Sequence, residues 1–415
     1  MSSFTASDSR FRAHLTLAVL TAIYALNFVD RQLLSVVLEP VKRELGASDT
    51  QMGLLTGTTF ALFYTFAGIP IARVADRSSR RTIVALGLGV WSAMTALTGS
   101  ARTFTQLALA RAGVGIGEAG CTPPAHSLIA DLYAPAQRAT AIAVYSSGIY
   151  VGMFVANTVG GDFYKLYGWR TTFVAFGLIG IAFALVAPLV LSEPKREDQT
   201  VRHEVVARAP SMLETVRALL VAPGFAHLAL GAGIKSIAGY GLATWASAFL
   251  GRVHGLAPDE AGYWLGRIGI GGAVGTFFGG WLADRLGRRD PRLRLRSAAW
   301  ATLAALPCLY LFLFASSASV ALIAYVPATV LGAMYLGPVF AHSQELAQPA
   351  QRATASALLL FAINLIGLGL GPLAVGALSD ALEASCGAES LRWSLAVVAL
   401  TYVWGSWHLL RAASR

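Results

Sequence analysis

Charge is what this 415-residue chain has least of: Asp, Glu, Lys and Arg make up 13% of it. A soluble domain carries about 25%, so an ordinary water-soluble globule is excluded. Cysteine is nearly absent as well. Cys121, Cys308 and Cys386 show no paired spacing, which excludes a disulfide framework and a thiolate zinc site. The seven histidines form no HExxH or similar cluster, so no metal is expected. No GxxxxGK[ST] loop occurs, which argues against direct use of ATP. No nucleophile–base constellation marks an enzyme, and no cofactor is expected. A cleavable signal peptide is not evident. The first dozen residues are polar, and the apolar stretch after them is too long for a signal's core.

What is present is apolar sequence. Hydrophobic residues make up 55% of the chain, and stretches of about 20 apolar residues recur. Each is long enough to cross about 30 Å of hydrocarbon as a helix. We count twelve, centred near Tyr24, Phe63, Gly89, Gly115, Tyr150, Ile181, Gly239, Ile270, Leu306, Val330, Gly367 and Val403. Six precede the polar stretch from Ser192 to about Pro223, and six follow it. The expectation is an all-α membrane protein. Two pseudo-symmetric six-helix bundles, residues 1–191 and 224–415, would be joined by a cytoplasmic linker, 192–223. In that linker Ser211 and Glu214 form a capping-box pattern, which suits a short helix lying on the inner leaflet. Long helical spans exclude an outer-membrane barrel and point to an inner (plasma) membrane.

The net charge of +10 would suit nucleic acid or anionic lipid, but its placement decides otherwise. With both termini cytoplasmic, inner segments hold 21 of the 32 Lys and Arg residues. Outer loops hold 7 (Lys42, Arg43, Arg102, Lys165, Arg170, Arg252 and Arg392), and 4 lie inside spans. That is the positive-inside bias, so the basic charge reports topology and no nucleic-acid partner is expected.

The chain also repeats itself. Pro-Ala-Gln-Arg-Ala-Thr-Ala occurs at Pro135–Ala141 and again at Pro349–Ala355, 214 residues later. At the same offset Asp131 matches Glu345, Leu132 matches Leu346 and Pro124 matches Pro338. A second pair, Asp76-Arg77-Ser78-Ser79-Arg80-Arg81 and Asp284-Arg285-Leu286-Gly287-Arg288-Arg289, repeats at an offset of 208. A membrane chain built from two parallel repeats is a common carrier design.

Gly280-x-x-x-Asp284-Arg285-x-Gly287-Arg288-Arg289 resembles the cytoplasmic signature of the major facilitator superfamily. The first copy departs from it, with Ala72 and Ser79 at the glycine positions. Arg111-x-x-x-Gly115-x-Gly117 resembles that superfamily's fourth-helix signature. Within it the chain is most similar to the spinster-type transporters, through Asn27-Phe28-Val29-Asp30-Arg31 and Gly115-Ile116-Gly117-Glu118-Ala119. The resemblance implies the twelve-helix fold, alternating access, and a lipid-like or amphipathic substrate. It also implies cytoplasmic gates: Asp76 and Arg77 near Arg352 at the start of helix 11, and Asp284 and Arg285 near Arg138 at the start of helix 5. Arg80, Arg81, Arg288 and Arg289 read as charges that merely retain the loops inside.

Charge inside the spans is the sharpest chemical signal, because a mid-helix charge costs about 2.5–3.5 kcal/mol unless paired or hydrated. Asp30 and Glu118 are the acids; Arg31, Arg111, Lys235 and Arg267 are the bases. Arg111 and Glu118 are seven residues apart and share a helix face. By the superfamily arrangement helices 1 and 4 line the central cavity. Asp30, Arg31 and Arg111 would then meet near one level, with Glu118 about two turns deeper. Either the acids carry protons or they form fixed salt bridges; the proton-coupling reading is the stronger. Arg31, Arg111, Lys235 and Tyr325 are candidate cavity residues, Tyr325 standing at the position equivalent to Arg111. The functional expectation is a proton-coupled secondary transporter of a small amphipathic or lipid-like molecule, working as a monomer among membrane lipids. An uncoupled facilitator, an exporter of other organic compounds, and a non-transporting sensor with the carrier fold are the alternatives.

Overall fold

The computed structural model describes residues 6–194, 212–222, 224–348 and 351–414. Most of the linker, including Ser211 of the capping-box pattern, lies outside the described residues. So do Pro349 and the side chains of Asp76 and Arg77. Among the described residues all regular structure is helical.

The helices group into twelve spans. Span 1 is α1 (Ala6–Val36), followed by the short outer helix α2 (Leu38–Leu45). Span 2 joins α3 (Asp49–Gly53) through a π-helical turn, Leu54–Thr59, to α4 (Phe60–Arg77). Span 3 is α5 (Arg80–Thr98); span 4 is α6 (Phe104–Glu118) with α7 (Thr122–Leu132). Spans 5 and 6 are the two arms of α8 (Pro135–Val190). At 1.5 Å per residue its 56 residues would reach about 84 Å, far beyond one bilayer. Gly168 folds it back, at φ 75° and ψ 165°, a conformation that a side chain would strain.

The described end of the linker is α9 (Met212–Val221), the short helix expected there. Spans 7, 8 and 9 are α10 (Phe225–His254), α11 (Pro258–Gly287) and α12 (Pro291–Phe314). Span 10 is α13 (Ala318–Ala333) with α14 (Leu336–Glu345). Span 11 is α15 (Arg352–Ala362), a second π-helical turn, Ile363–Leu368, and α16 (Gly369–Cys386). Span 12 is α17 (Ser390–Ala399) with α18 (Thr401–Ala413).

Local chemistry sets the boundaries. Thr103 caps α6 by accepting from the Gln106 amide at 3.2 Å, and Asp290 caps α12 by accepting from the Arg292 amide at 2.9 Å. Pro135, Pro258 and Pro291 stand at first helical positions, where a missing amide hydrogen costs nothing. Span 4 breaks after Glu118 because Pro123 and Pro124 cannot donate to the carbonyls four residues back. Large apolar side chains such as Leu189, Phe277 and Leu185 are 84%, 80% and 74% exposed, as a lipid-facing surface requires.

The chain folds as two compact units. One holds the described residues of Met1–Ala47, Thr59–Lys195 and Pro258–Gly266. The other holds those of Ser48–Thr58, Arg196–Ala257 and Arg267–Arg415. The outer start of span 2 therefore packs with the second half, and the outer start of span 8 with the first.

Candidate functional site

In the first unit α1 carries Asn27, Asp30 and Arg31, and α6 carries Arg111 and Glu118. Arg31 donates from Nε to Glu118 Oε2 at 2.6 Å; the Glu118 side chain is wholly buried. Three rings box the Arg31 guanidinium: Phe28, Phe60 and Tyr64, with centroids at 5.1, 4.5 and 4.9 Å. Arg111 is buried and donates from Nη1 to the backbone oxygen of Asp30 at 3.1 Å. Asp30 is buried beside Trp91 and Thr95 of α5, and Glu118 lies beside Asn27.

The sequence set Glu118 about two turns below Asp30, Arg31 and Arg111, and left open a partner for Arg31 other than Asp30. In the structure that partner is Glu118. The reason is helical geometry: adjacent residues point about 100° apart, and arginine is long enough to reach an acid at another level.

Trp91 and Thr95 offer hydrogen-bonding groups to Asp30, and Asn27 offers one to Glu118. The site therefore holds two buried carboxyl groups among two arginines and several polar side chains, a set that can exchange partners.

In the second unit Lys235, midway along α10, is also buried. Its ammonium donates to the Gly332 carbonyl at 2.5 Å and lies 3.8 and 5.0 Å from the ring centroids of Tyr335 and Tyr402. Tyr325 is half-buried and stacks on Phe312 at 4.3 Å, at an interplanar angle of 21°. At the repeated loops, Arg138 is exposed and donates to the Tyr133 carbonyl at 3.0 Å. Asp284, Arg285 and Arg352 are exposed, Arg285 lying 5.7 Å from the Trp281 ring centroid.

Arg80 corrects the sequence reading. It is 2% exposed and acts as more than a loop-retaining charge. It pairs with Asp131 and with Glu193, the latter at 2.9 Å, and donates to Ser127 Oγ at 3.0 Å. Glu193 also accepts from the Ser79 hydroxyl and the Arg81 amide, so the start of the linker is stapled to the first bundle. Arg294 pairs with Glu345 in the second unit. Both partners stand 214 residues beyond Arg80 and Asp131, so the heptapeptide offset also relates two ion pairs. The spacing alone held this signal: a basic and an acidic residue recur together at one offset.

The contacts at the start of α3 were missed as well. Arg252 grips Asp49 with two bonds, 2.6 and 2.7 Å. Asp380 accepts from the Asp49 and Thr50 amides at 3.0 and 2.7 Å, covering the start of α3. Backbones touch below it: a Cβ on Gly53 would lie 2.3 Å from the Pro372 oxygen, and one on Gly57 2.7 Å from that of Leu368. The first unit repeats the device at Gly262-x-x-x-Gly266, where a Cβ on Gly262 would lie 2.2 Å from the Asn157 oxygen. Small-xxx-small spacing lets membrane helices approach this closely.

Twelve spans, two repeated halves and charge concentrated on spans 1, 4 and 7 describe a carrier. The family model for the Major Facilitator Superfamily matches residues 20–372. The chain belongs to that superfamily. It is therefore a multi-pass membrane transporter, and its family is one of carriers, not enzymes. An MFS-type efflux pump of Mycolicibacterium smegmatis is 38% identical over 385 residues, covering 92% of this chain and 87% of its own. Protein spinster homolog 3 of Danio rerio is 28% identical over 403 residues, covering 91% and 79%. The crystal structure of a bacterial homolog to the human lysosomal transporter Spinster, inward-facing and unoccupied, superposes with a TM-score of 0.88. It is 33% identical and covers 97% of each chain. The chain is thus a Major Facilitator transporter of the spinster type.

Proposed function

We propose that this transporter is proton-coupled and moves a small amphipathic or lipid-like molecule by alternating access. The observation that carries this reading is the pair of buried carboxyl groups, Asp30 and Glu118, set among two arginines. A carboxyl group changes its affinity for a proton when its solvation or its cationic neighbour changes. Arg31 and Arg111 are those neighbours, and a rearrangement that separated Arg31 from Glu118 would let the acid load or release a proton. Tyr24, Phe28, Phe60 and Tyr64 give the site an apolar, aromatic body around its charges, which supports an amphipathic or lipid-like substrate. We place the protein in the inner membrane as a monomer with both termini cytoplasmic, and assign Asp76, Arg77 and Arg352, with Arg138, Asp284 and Arg285, to the cytoplasmic gates. The two bundles would be 1–191 and 224–415.

A second reading, export of other organic compounds, is favoured by the 38% identity to an efflux pump. Flux in proteoliposomes under an imposed pH gradient separates these readings. Lysophospholipids and sphingoid phosphates would be compared with ordinary organic anions. We expect Asp30→Asn and Glu118→Gln each to abolish pH-driven accumulation. Unaltered flux in both variants removes the coupling role, and failure of every lipid removes the lipid-like substrate.

A further inference from the structure

The charged core of the first half has an unrecognised counterpart in the second. The repeats align at an offset of 208 near spans 1 and 7, and at 214 near spans 4 and 10. These offsets carry Asn27 onto Lys235 and Glu118 onto Gly332. In the first unit Asn27 lies beside Glu118 at the break in span 4. In the second, Lys235 binds Gly332 at the break in span 10. The same inter-helix node is thus built twice, once around an acid and once around a cation.

The second version is electrostatically incomplete. No carboxylate pairs with Lys235 among the described residues; its ammonium has one carbonyl and the faces of Tyr335 and Tyr402. Of the bases in spans 1, 4 and 7, Arg31 pairs with Glu118 and Arg111 bonds the Asp30 backbone, whereas buried Lys235 meets no carboxylate among the described residues. Arg267, the other base within a span, is exposed. A carbonyl and ring faces hold an ammonium more weakly than an anion does, because an anion adds full charge–charge attraction to the hydrogen bond. In carriers, moreover, broken helices are where substrates bind.

We propose that Lys235, with Tyr335 and Tyr402 at the break in span 10, is a binding site for the anionic group of the transported molecule. This rests on the reading of the chain as a transporter and narrows its substrate to anions, whether the phosphate of a lipid or the carboxylate of an organic acid. An arriving anion takes over the ammonium from the Gly332 carbonyl. The Tyr402 hydroxyl supplies a further donor, the Tyr335 hydroxyl already sharing a hydrogen bond with Ser236 at 2.9 Å, and the Gly332 carbonyl is released at the helix break.

Binding to the purified protein in nanodiscs tests this without requiring turnover. The probes are lysophosphatidic acid, its zwitterionic phosphocholine counterpart, and the dicarboxylate galactarate. Wild type is expected to bind at least one of the two anions saturably and in preference to the phosphocholine lipid. Lys235→Gln should weaken that anion by about tenfold or more and leave the phosphocholine lipid unchanged. Lys235→Arg, which keeps the charge, should restore part of the affinity, and Tyr402→Phe provides a milder change should Lys235→Gln fold poorly. Lipid-only binding identifies a phosphate, and galactarate binding a carboxylate. Equal anion affinity in wild type, Lys235→Gln and Tyr402→Phe overturns the proposal, as does the absence of saturable anion binding to wild type. Lysine-dependent anion binding without pH-driven flux sinks only the coupling reading.

Discussion

Arg31 shows what one side chain can do in hydrocarbon. Its guanidinium meets Glu118 at 2.6 Å and three aromatic rings, so an acid and π-faces together hold its charge. Removing one member of such a pair leaves the other buried alone, which costs about 3–5 kcal/mol, whereas replacing both with apolar residues is often neutral. Arg31→Met should therefore lower the melting temperature of the purified protein more than the double change Arg31→Met with Glu118→Leu. A double variant as unstable as the single one would show that the two residues act separately. Glu193 offers a test outside the membrane. Burial pushes its carboxyl upward, but the Arg81 amide, Arg80 and the Ser79 hydroxyl outweigh that and hold it below the ordinary glutamate range. A depressed folded-state value means the staple contributes fully above the unfolded value and is lost as pH falls through the folded one. Wild type should thus lose stability relative to Glu193→Gln on acidification below the usual glutamate range, read as converging melting temperatures; parallel curves would refute it. Both acids were legible as charges in the sequence, but neither partner was. Sequence lists which charges exist, while pairing depends on side-chain reach between helices.

At the scale of helices, the breaks and the close approaches matter most. The proline pair Pro123-Pro124 announces the interruption of span 4, and the node at Glu118 sits at its edge. The outer contacts of α3 and α11 rest on glycines against backbone oxygens at 2.2–2.7 Å from a notional Cβ. A leucine there cannot be accommodated without moving a helix, and overpacking of this kind costs about 1–3 kcal/mol. Gly53→Leu should lower the melting temperature and uncouple Asp49 from Arg252 and Asp380, so that adding Arg252→Ala to it costs little more. Additive losses would mean that the glycine seam and the ion pair stand apart. The two Gly-x-x-x-Gly spacings were visible in the sequence, yet such spacings are common in apolar helices. Only the facing carbonyls distinguish a seam from composition.

For the whole molecule, the charge bias predicts an orientation. If both termini are cytoplasmic, Cys386 at the outer end of α16 faces outward, while Cys121 is buried. A membrane-impermeant maleimide added to intact cells should label wild type and spare Cys386→Ser. Labelling only after permeabilisation would invert the assigned topology. The repeated ion pairs Arg80–Asp131 and Arg294–Glu345 make a related comparison. Arg80 is more buried and holds a second acid, so Arg80→Ala should destabilise the protein more than Arg294→Ala in a thermal melt.

Composition, span length and the position of basic residues determined the membrane class, the twelve crossings and the doubled plan. These are properties of the chain against its solvent, and the solvent reads them residue by residue. The tertiary structure alone decided that Arg31 takes Glu118, that Arg80 staples the linker, and that Lys235 donates to the Gly332 carbonyl. Those contacts join residues tens to hundreds of positions apart, and they exist only once helices have packed at a particular rotation.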